Sequence, residues 1–406
     1  MRIVHLSQFE MTRAILHVDL DAFFCSVEEL MAPELKGQAF VVGGRPEGRG
    51  VVASASYAAR KFGVRSAMPM AQAVRLCPGL RIVRPRHGEY SDHSERVMQY
   101  LRDSVPVVEQ ISIDEAFLDA SDDPRGGSGA ALEMQSEIRS RFGLPSSWGV
   151  AGNKLVAKIA TEVGKPGGLI AVPAGSEAQF LAPLPVGMLW GIGPKSEARL
   201  AEFEIRTIGQ LTRLAAELLI ATFGDWGTQL AARTRGLDDR PVEDSCEPRS
   251  ISAEQTFAKD VSSEPKLRRC LLESSERVGR RLRQAELAGS TVRIKLRWPD
   301  FATISRQIRL AQPTDQDREI FRAAWTLFKA NWRHGRAVRL LGVGVSDLGP
   351  PLRQLELFDR AWEHDRKLLQ AIDRLRAKYG ADVLTRAGEL TADLERPEGY
   401  TGTNPG

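Results

Sequence analysis

Residues 14–30, AILHVDLDAFFCSVEEL, change period halfway along. The first half is a β-type apolar run, and from Phe23 the apolar positions Phe23, Val27 and Leu30 recur every three or four residues, as on a helix. A strand therefore feeds directly into a helix, with Asp19 and Asp21 two apart on one face of the strand. Carboxylates placed at a core are costly unless a cation or hydrogen-bond donors compensate them. Asp21 either caps the following helix or shares a compensated site with Asp19, whereas Asp19 comes too early to cap anything. Residues 112–119, SIDEAFLD, set Asp114 and Glu115 side by side in a second apolar run. Neighbours on a regular strand point to opposite faces, so these two converge only at a bend or hairpin, with which VVEQISIDEAFLDAS (107–121) is compatible.

Asp19, Asp114 and Glu115 brought together from two strands would raise one another's pKa unless divalent cations bind between them. Oxygen ligands without His or Cys favour Mg²⁺ over zinc. Two such ions about 3.5–4 Å apart can activate an attacking oxygen and stabilise a leaving one in phosphoryl transfer.

The chain has 406 residues, a formal charge of +4 and four cysteines. At about 100–200 residues per domain, two to four domains are expected. So small a charge means that any basic surface is local. Cys25, Cys77, Cys246 and Cys270 form no CxxC pair, which argues for buried thiols in a reducing compartment. No signal-peptide core and no run of about 18 apolar residues is present, so a cytoplasmic protein without a membrane span is expected. Met11, just before the first strand, leaves open that residues 1–10 are a dispensable extension.

Four blocks, VDLDAFFCSVEE (18–29), SASYAARKFGVRSAMP (54–69), SIDEAFLD and GNKLVAKIATEVGKPGG (152–168), resemble in order and spacing the Y-family DNA polymerases of the DinB type. The likeness covers roughly residues 13–347, with a further match in the tail. It implies that Asp19, Asp114 and Glu115, with the Leu20 carbonyl, bind two Mg²⁺ ions. It also implies that the Phe24 ring is a steric gate against a ribose 2′-hydroxyl, and that Tyr57, Arg60 and Lys165 hold the triphosphate. By helical spacing Lys61 shares a face with Tyr57 and Arg60. Asn153 is a plausible N-cap and Gly164 a stop, after which Pro166 keeps Lys165 extended. One departure is Ala151, where the family usually has Ser, which puts a local hydrogen bond in doubt.

Further on, LPVGMLWGIGPKSEARLAEF (184–203) resembles a helix-hairpin-helix, in which Gly191 and Gly193 let backbone N–H groups approach a phosphate and Lys195 adds charge. STVRIKLRW (290–298) alternates strictly. Val292, Ile294, Leu296 and Trp298 share one face, and Arg293, Lys295 and Arg297 share the other. Ser263 and Thr314 are expected to cap the two helices of this part, and strands near 250–257, 290–298, 302–310 and 338–346 complete a βαββαβ order. Its open face is expected to carry Arg306, and Arg309 as a further candidate. Residues 245–347 hold 20 basic against 12 acidic residues, the local excess that nucleic-acid phosphates match. After a Pro-rich break, Gln354, Leu355, Leu357 and Phe358 in QLELF resemble a sliding-clamp-binding peptide. Tethering of that kind raises the local concentration of primer ends.

The expected architecture is α+β and multidomain, a right hand with a ferredoxin-like palm (12–27 and 87–173), small fingers (28–86), a helical thumb with helix-hairpin-helix (174–241), a linker (242–248) and a βαββαβ little finger (249–347), followed by a tail (348–406). The expected activity is template-directed, Mg²⁺-dependent addition of deoxynucleotides to the primer strand of primer-template DNA, tolerant of damaged bases, by a monomer recruited to the clamp. No exonuclease motif is evident. A catalytically silent scaffold is the alternative, but such relatives lose metal carboxylates that are all present here. A nucleotidyl cyclase would have no use for the basic sheet, the hairpin or QLELF.

Overall fold

The structure is a computed structural model that describes residues 13–244, 248–351, 360–380 and 383–384. The chain divides into two compact units, Met1–Gly44 with Val51–Cys246, and Arg45–Gly50 with Glu247–Gly406.

In the first unit β1 (Ile15–Leu20) runs into α1 (Phe23–Met31), the period change read from the sequence. Next come β2 (Phe40–Gly43), β3 (Val52–Ala55), α2 (Tyr57–Arg60), α3 (Met70–Leu76) and β4 (Arg81–Val83). These three strands form a small sheet of order β3-β2-β4 over its own core, which includes Val41, Val52, Ala59 and Met70. Helix α4 (His87–Ser104), β5 (Val107–Gln110), β6 (Glu115–Asp119), α5 (Gly126–Phe142), β7 (Ser146–Ala151), α6 (Lys154–Gly164) and β8 (Leu169–Ala171) complete a five-stranded sheet of order β5-β6-β1-β7-β8. β1 is thus central and antiparallel to both neighbours. Its Leu16, Val18 and Leu20 meet Phe23, Trp148 and Leu101 in the main core.

Gly149 fixes how α6 lies on this sheet, because a Cβ there would sit 2.0 Å from the Ala157 carbonyl oxygen. With only backbone at that crossing, Thr161 reaches β1 and donates to the His17 carbonyl at 3.0 Å. Asn153 caps α6 as expected, accepting from the Val156 N–H at 3.0 Å, and its amide also donates to the Gly236 carbonyl at 2.8 Å. Helices α7 (Glu177–Leu181), α8 (Pro194–Ala201), α9 (Ile208–Thr212), α10 (Ala216–Phe223) and α11 (Asp225–Arg233) follow, packed with the outer face of α6 around Leu155, Ile159 and Leu189.

The second unit has the order β9 (Ser250–Val261), α12 (Glu264–Gln284), β10 (Ala288–Arg297), β11 (Thr303–Thr314), α13 (Asp317–Asn331) and β12 (Val338–Gly349). The βαββαβ reading holds, as a four-stranded antiparallel sheet of order β11-β10-β12-β9. Val292, Ile294, Leu296 and Trp298 are buried with Leu271, Val278 and Phe328 from the two helices. The capping expectations need correction. Ser263 is the N-cap residue of α12 but makes no capping hydrogen bond. Thr314 ends β11, where its hydroxyl accepts from the Gln316 N–H at 3.1 Å, and Gln316 is the N-cap.

A further helix, α14 (Arg360–Tyr379), belongs to this unit. Arg283, buried in α12, bridges Asp317 at 2.9 Å and Asp373 of α14 at 2.6 Å, while Arg366 meets the buried Asp315 at 2.8 Å. Buried guanidinium and carboxylate groups paired in this way make the seat of α14 specific, because removing one partner strands the other. QLELF, with Gln354, Leu355, Leu357 and Phe358, lies outside the described residues.

Candidate active site and nucleic-acid interface

Asp19 is the direct register partner of Glu115 on one side and of Ser147 on the other. A bend does precede β6 at the pair 114–115, as expected, and it is held by Ser112. The Ser112 hydroxyl oxygen accepts from the Asp114 and Glu115 N–H groups at 3.2 and 3.1 Å, and the hydroxyl donates to Asp114 Oδ1. The Leu20 N–H donates to the Asp114 carbonyl at 2.9 Å, locking the bend against the end of β1.

The three carboxylates line two cavities of about 270 Å³ each. Asp19 and Lys165 border both. Asp114 opens with Phe24, Tyr57 and Arg60 into one, and Glu115 opens with His17, Lys158 and Trp190 into the other. Lys165 Nζ stands 2.8 Å from Asp19 Oδ2, and Lys158 Nζ pairs with Glu115. Burial pushes the Asp19 carboxyl up to about 6; Lys165 opposes this, and Asp114 and Glu115 add to it. Glu115 goes the other way, to about 2, because its hydrogen bonds to His17 and Lys158 outweigh burial. Burial lowers His17 to about 4, so its imidazole is neutral at pH 7, with Nε2 3.4 Å from Glu115 and Nδ1 3.0 Å from the Thr161 hydroxyl. Among the described residues no three carboxylate, imidazole or thiol groups are gathered close enough to hold one ion. Lysines from α6 and its end pair with Asp19 and Glu115, and Asp114 is held by Ser112.

Asp21 is not a helix cap. Ala22, in the left-handed region, is the N-cap residue of α1 and makes no side-chain cap. The Asp21 carboxylate is buried and accepts from the Tyr57 hydroxyl at 2.9 Å, the Ser147 hydroxyl at 2.9 Å and the Gly167 N–H at 2.8 Å. Phe23 is core, as expected, and Phe24 is half-buried at the cavity edge. Its ring stacks on Tyr90 at 4.3 Å and 12°, and the Tyr90 hydroxyl donates to the buried Glu28 at 2.6 Å. Ser56 caps α2 by accepting from the Ala59 N–H at 3.2 Å. The Arg60 guanidinium lies 4.7 Å over the Tyr57 ring, whereas Lys61 follows the helix and does not line the cavity. Lys165 is extended, with φ −63° and ψ 140°. Ala151 is buried among apolar neighbours.

In the hairpin, Gly193 is the N-cap residue of α8 with Pro194 in the first turn, and Lys195 is exposed. The element before it is only a 3₁₀ turn, Val186–Met188, shorter than the amphipathic stretch suggested. Gly191 has φ +104°, and a Cβ there would crowd Arg233, whose Nη1 donates to the Trp190 carbonyl at 2.9 Å.

On the second unit's sheet, Arg293, Lys295 and Arg297 share the open face as expected. Gly344 and Gly342 of β12 lie opposite Arg293 and Lys295, and Lys295 also pairs with Glu254 at 2.9 Å. Arg306 needs correction. It lies opposite the buried Ile294, so it belongs to the helix-covered side at the sheet edge. Arg309, opposite Thr291, takes the open-face place.

Sequence reasoning left Asp21's network, His17, Lys158 and Trp190 unassigned. The signal for Lys158 was present in its i+4 spacing from Lys154, but Lys154 itself is buried on Glu109.

A carboxylate-lined sheet and a separate basic sheet together make a nucleic-acid-processing enzyme. The sequence profile of the impB/mucB/samB family matches residues 18–162, that of its C-terminal domain residues 248–357, and that of its helix-hairpin-helix motif residues 174–205. The chain belongs to this family, the Y-family DNA polymerases of the DNA polymerase IV type. It is 43% identical over 384 residues to DNA polymerase IV of Desulfatibacillum aliphaticivorans, covering 93% of this chain and 97% of that one. To DNA polymerase IV of Dehalococcoides mccartyi (strain CBDB1) it is 43% identical over 373 residues, covering 91% and 95%. The solved Y-family DNA polymerase chimera Dbh-Dpo4(243-245)-Dbh superposes with a TM-score of 0.74 at 25% identity, over 83% of this chain and 99% of that one. The fold is accordingly the right hand with palm, fingers, thumb and little finger.

Proposed function

We propose that this translesion polymerase divides its chemistry between the two cavities that meet at Asp19, the observation that carries the reading. Tyr57, Arg60 and Lys165 hold the triphosphate of an incoming deoxynucleotide, and Phe24, braced by Tyr90, excludes a 2′-hydroxyl. The primer 3′ end enters beside Glu115. Asp19, Asp114, Glu115 and the Leu20 carbonyl are an oxygen-only donor set suited to Mg²⁺. The raised pKa of Asp19, due chiefly to burial with Asp114 and Glu115 adding to it, supports that fit, because a divalent cation would stabilise the buried negative charge. Two bound ions would supply activation of the primer oxygen and charge neutralisation at the phosphates. Lys165 and Lys158 would then exchange their carboxylates for phosphate oxygens.

The domain limits read from the sequence serve as the working division of the chain. Gly191, Gly193 and Lys195 of the thumb, and Arg293, Lys295, Arg297 and Arg309 of the little finger, grip DNA through its backbone without reading sequence. QLELF tethers the enzyme to a sliding clamp, and a cytoplasmic monomer is the working state. No helix among the described residues is long and apolar enough to cross a membrane.

Mg²⁺-dependent primer extension by the wild type, beside Glu115→Ala with its fold checked by circular dichroism, tests the reading. Extension should vanish in the folded variant; equal extension by both would overturn the assignment. Deleting residues 354–358 should remove clamp stimulation and spare clamp-free extension.

A further inference from the structure

At one end of the little-finger sheet, the turn between β10 and β11 presents an aromatic ring to solvent. Phe301 is 61% exposed and adopts φ +66°, a backbone conformation unfavourable for a bulky residue. The turn is nonetheless well held. The Phe301 N–H donates to the Trp298 carbonyl at 3.0 Å, the Trp298 N–H to the Ala302 carbonyl at 2.9 Å, and the Asp300 carboxylate accepts from the Ala302 N–H at 2.9 Å. The ring is thus an outward fixture on a rigid hairpin.

One arginine lies over this ring and a second over the ring of Trp298 at the start of the same turn. The Arg339 guanidinium lies 4.2 Å from the Phe301 ring centroid, and Arg336 lies 3.8 Å from that of the buried Trp298. The Trp298 and Trp332 rings anchor this end in the core, and the Trp332 indole N–H donates to the Arg336 carbonyl at 2.7 Å. Neither Arg336 nor Arg339 has a carboxylate partner among the described residues. An exposed ring beside uncompensated guanidinium groups suits a ligand with both a flat π-face and a negative charge.

We propose that Phe301, Arg339 and Arg336 form a stacking site for unpaired DNA nucleotides. A base within a duplex hides its faces in the stack, so a ring at a hairpin tip can take a base only where the strand is single. Phe301 receives the base and the arginines receive the adjoining phosphate. This deepens the DNA-polymerase reading and rests on it.

The test is fluorescence anisotropy of the full chain with a labelled oligothymidylate and, separately, a blunt DNA duplex of equal length. Phe301→Ala should weaken oligothymidylate binding roughly tenfold, within the range of losing one stacked base, and leave duplex binding unchanged. Phe301→Trp should retain wild-type affinity. Arg339→Gln should reduce the slope of log affinity against log salt by about one for the oligothymidylate. Unchanged oligothymidylate binding by Phe301→Ala, or an equal loss on both DNAs with the fold intact, would overturn the site. A wild type that binds neither DNA would instead defeat the underlying polymerase reading.

Discussion

Asp19 and Glu115 face each other across β1 and β6, yet each is neutralised by a different lysine, Lys165 and Lys158 respectively. Both lysines come from one segment, α6 and the residue after it, so a single element supplies countercharge to both cavities. Lys165 is raised above the ordinary lysine value because Asp19 and Glu162 outweigh its burial, and it is therefore a permanent cation at pH 7. Lys165→Ala should raise the KM for the incoming nucleotide roughly ten- to a hundredfold, the worth of a charged hydrogen bond. Steady-state primer extension checks this, and an unchanged KM would remove Lys165 from the triphosphate.

Phe24 is held against Tyr90 by parallel stacking, and Tyr90 is in turn fixed on Glu28. Phe24→Ala should reduce the preference for deoxy- over ribonucleotides about a hundredfold, equivalent to about 2.7 kcal/mol. Tyr90→Leu keeps the Phe24 ring but removes its brace, and should give an intermediate loss. Competition between the two nucleotide types in a single-insertion assay measures both.

The register of β11 separates two arginines that composition alone treats alike. Arg309→Ala should lower the salt slope of duplex DNA binding by about one, whereas Arg306→Ala should leave it unchanged. Titrations across a series of salt concentrations distinguish the two, and a larger effect at Arg306 would contradict the register-based assignment.

Asp238 accepts from the Leu155 N–H at the start of α6 at 3.0 Å and is forked by Arg240 at 2.7 and 2.8 Å. Burial would raise its pKa, but the bonds to Arg240 outweigh it and the pKa is lowered. A depressed folded-state pKa contributes stability that is fully present above the unfolded value, near 4, and is lost as pH falls through the folded value. Asp238→Asn should cost about 2 kcal/mol at pH 7 and progressively less below pH 4. Urea unfolding at pH 7 and pH 3 would show the gap closing.

Strand β1, the β5–β6 hairpin and the four strands of the second unit's sheet were legible because alternation and burial are a single physical pattern, as Val292 to Trp298 demonstrate, whereas β7, β8 and the small sheet β3-β2-β4 were not read. Asp19, Asp114 and Glu115 were legible because charge in an apolar run demands compensation. What compensates them was not, since Lys158 and Lys165 reach the carboxylates only once Gly149 lets α6 settle on the sheet. Asp21 looked like a cap because capping is local, while its true partners lie 36 to 146 residues away. Arg306 was misplaced because pairing across a hairpin decides which face a side chain takes. Similarly, Arg283 and Asp373 are 90 residues apart, and neither announces the other in sequence.

Asp21 takes one hydrogen bond from the start of α2 through Tyr57, one from β7 beside the central strand through Ser147, and one from the loop after Lys165 through Gly167. In the language of machining, it is a datum. Helix α2, the sheet and the loop after α6 are all gauged from the same two oxygen atoms, so positional errors in separate parts of the chain do not add up where the two cavities meet.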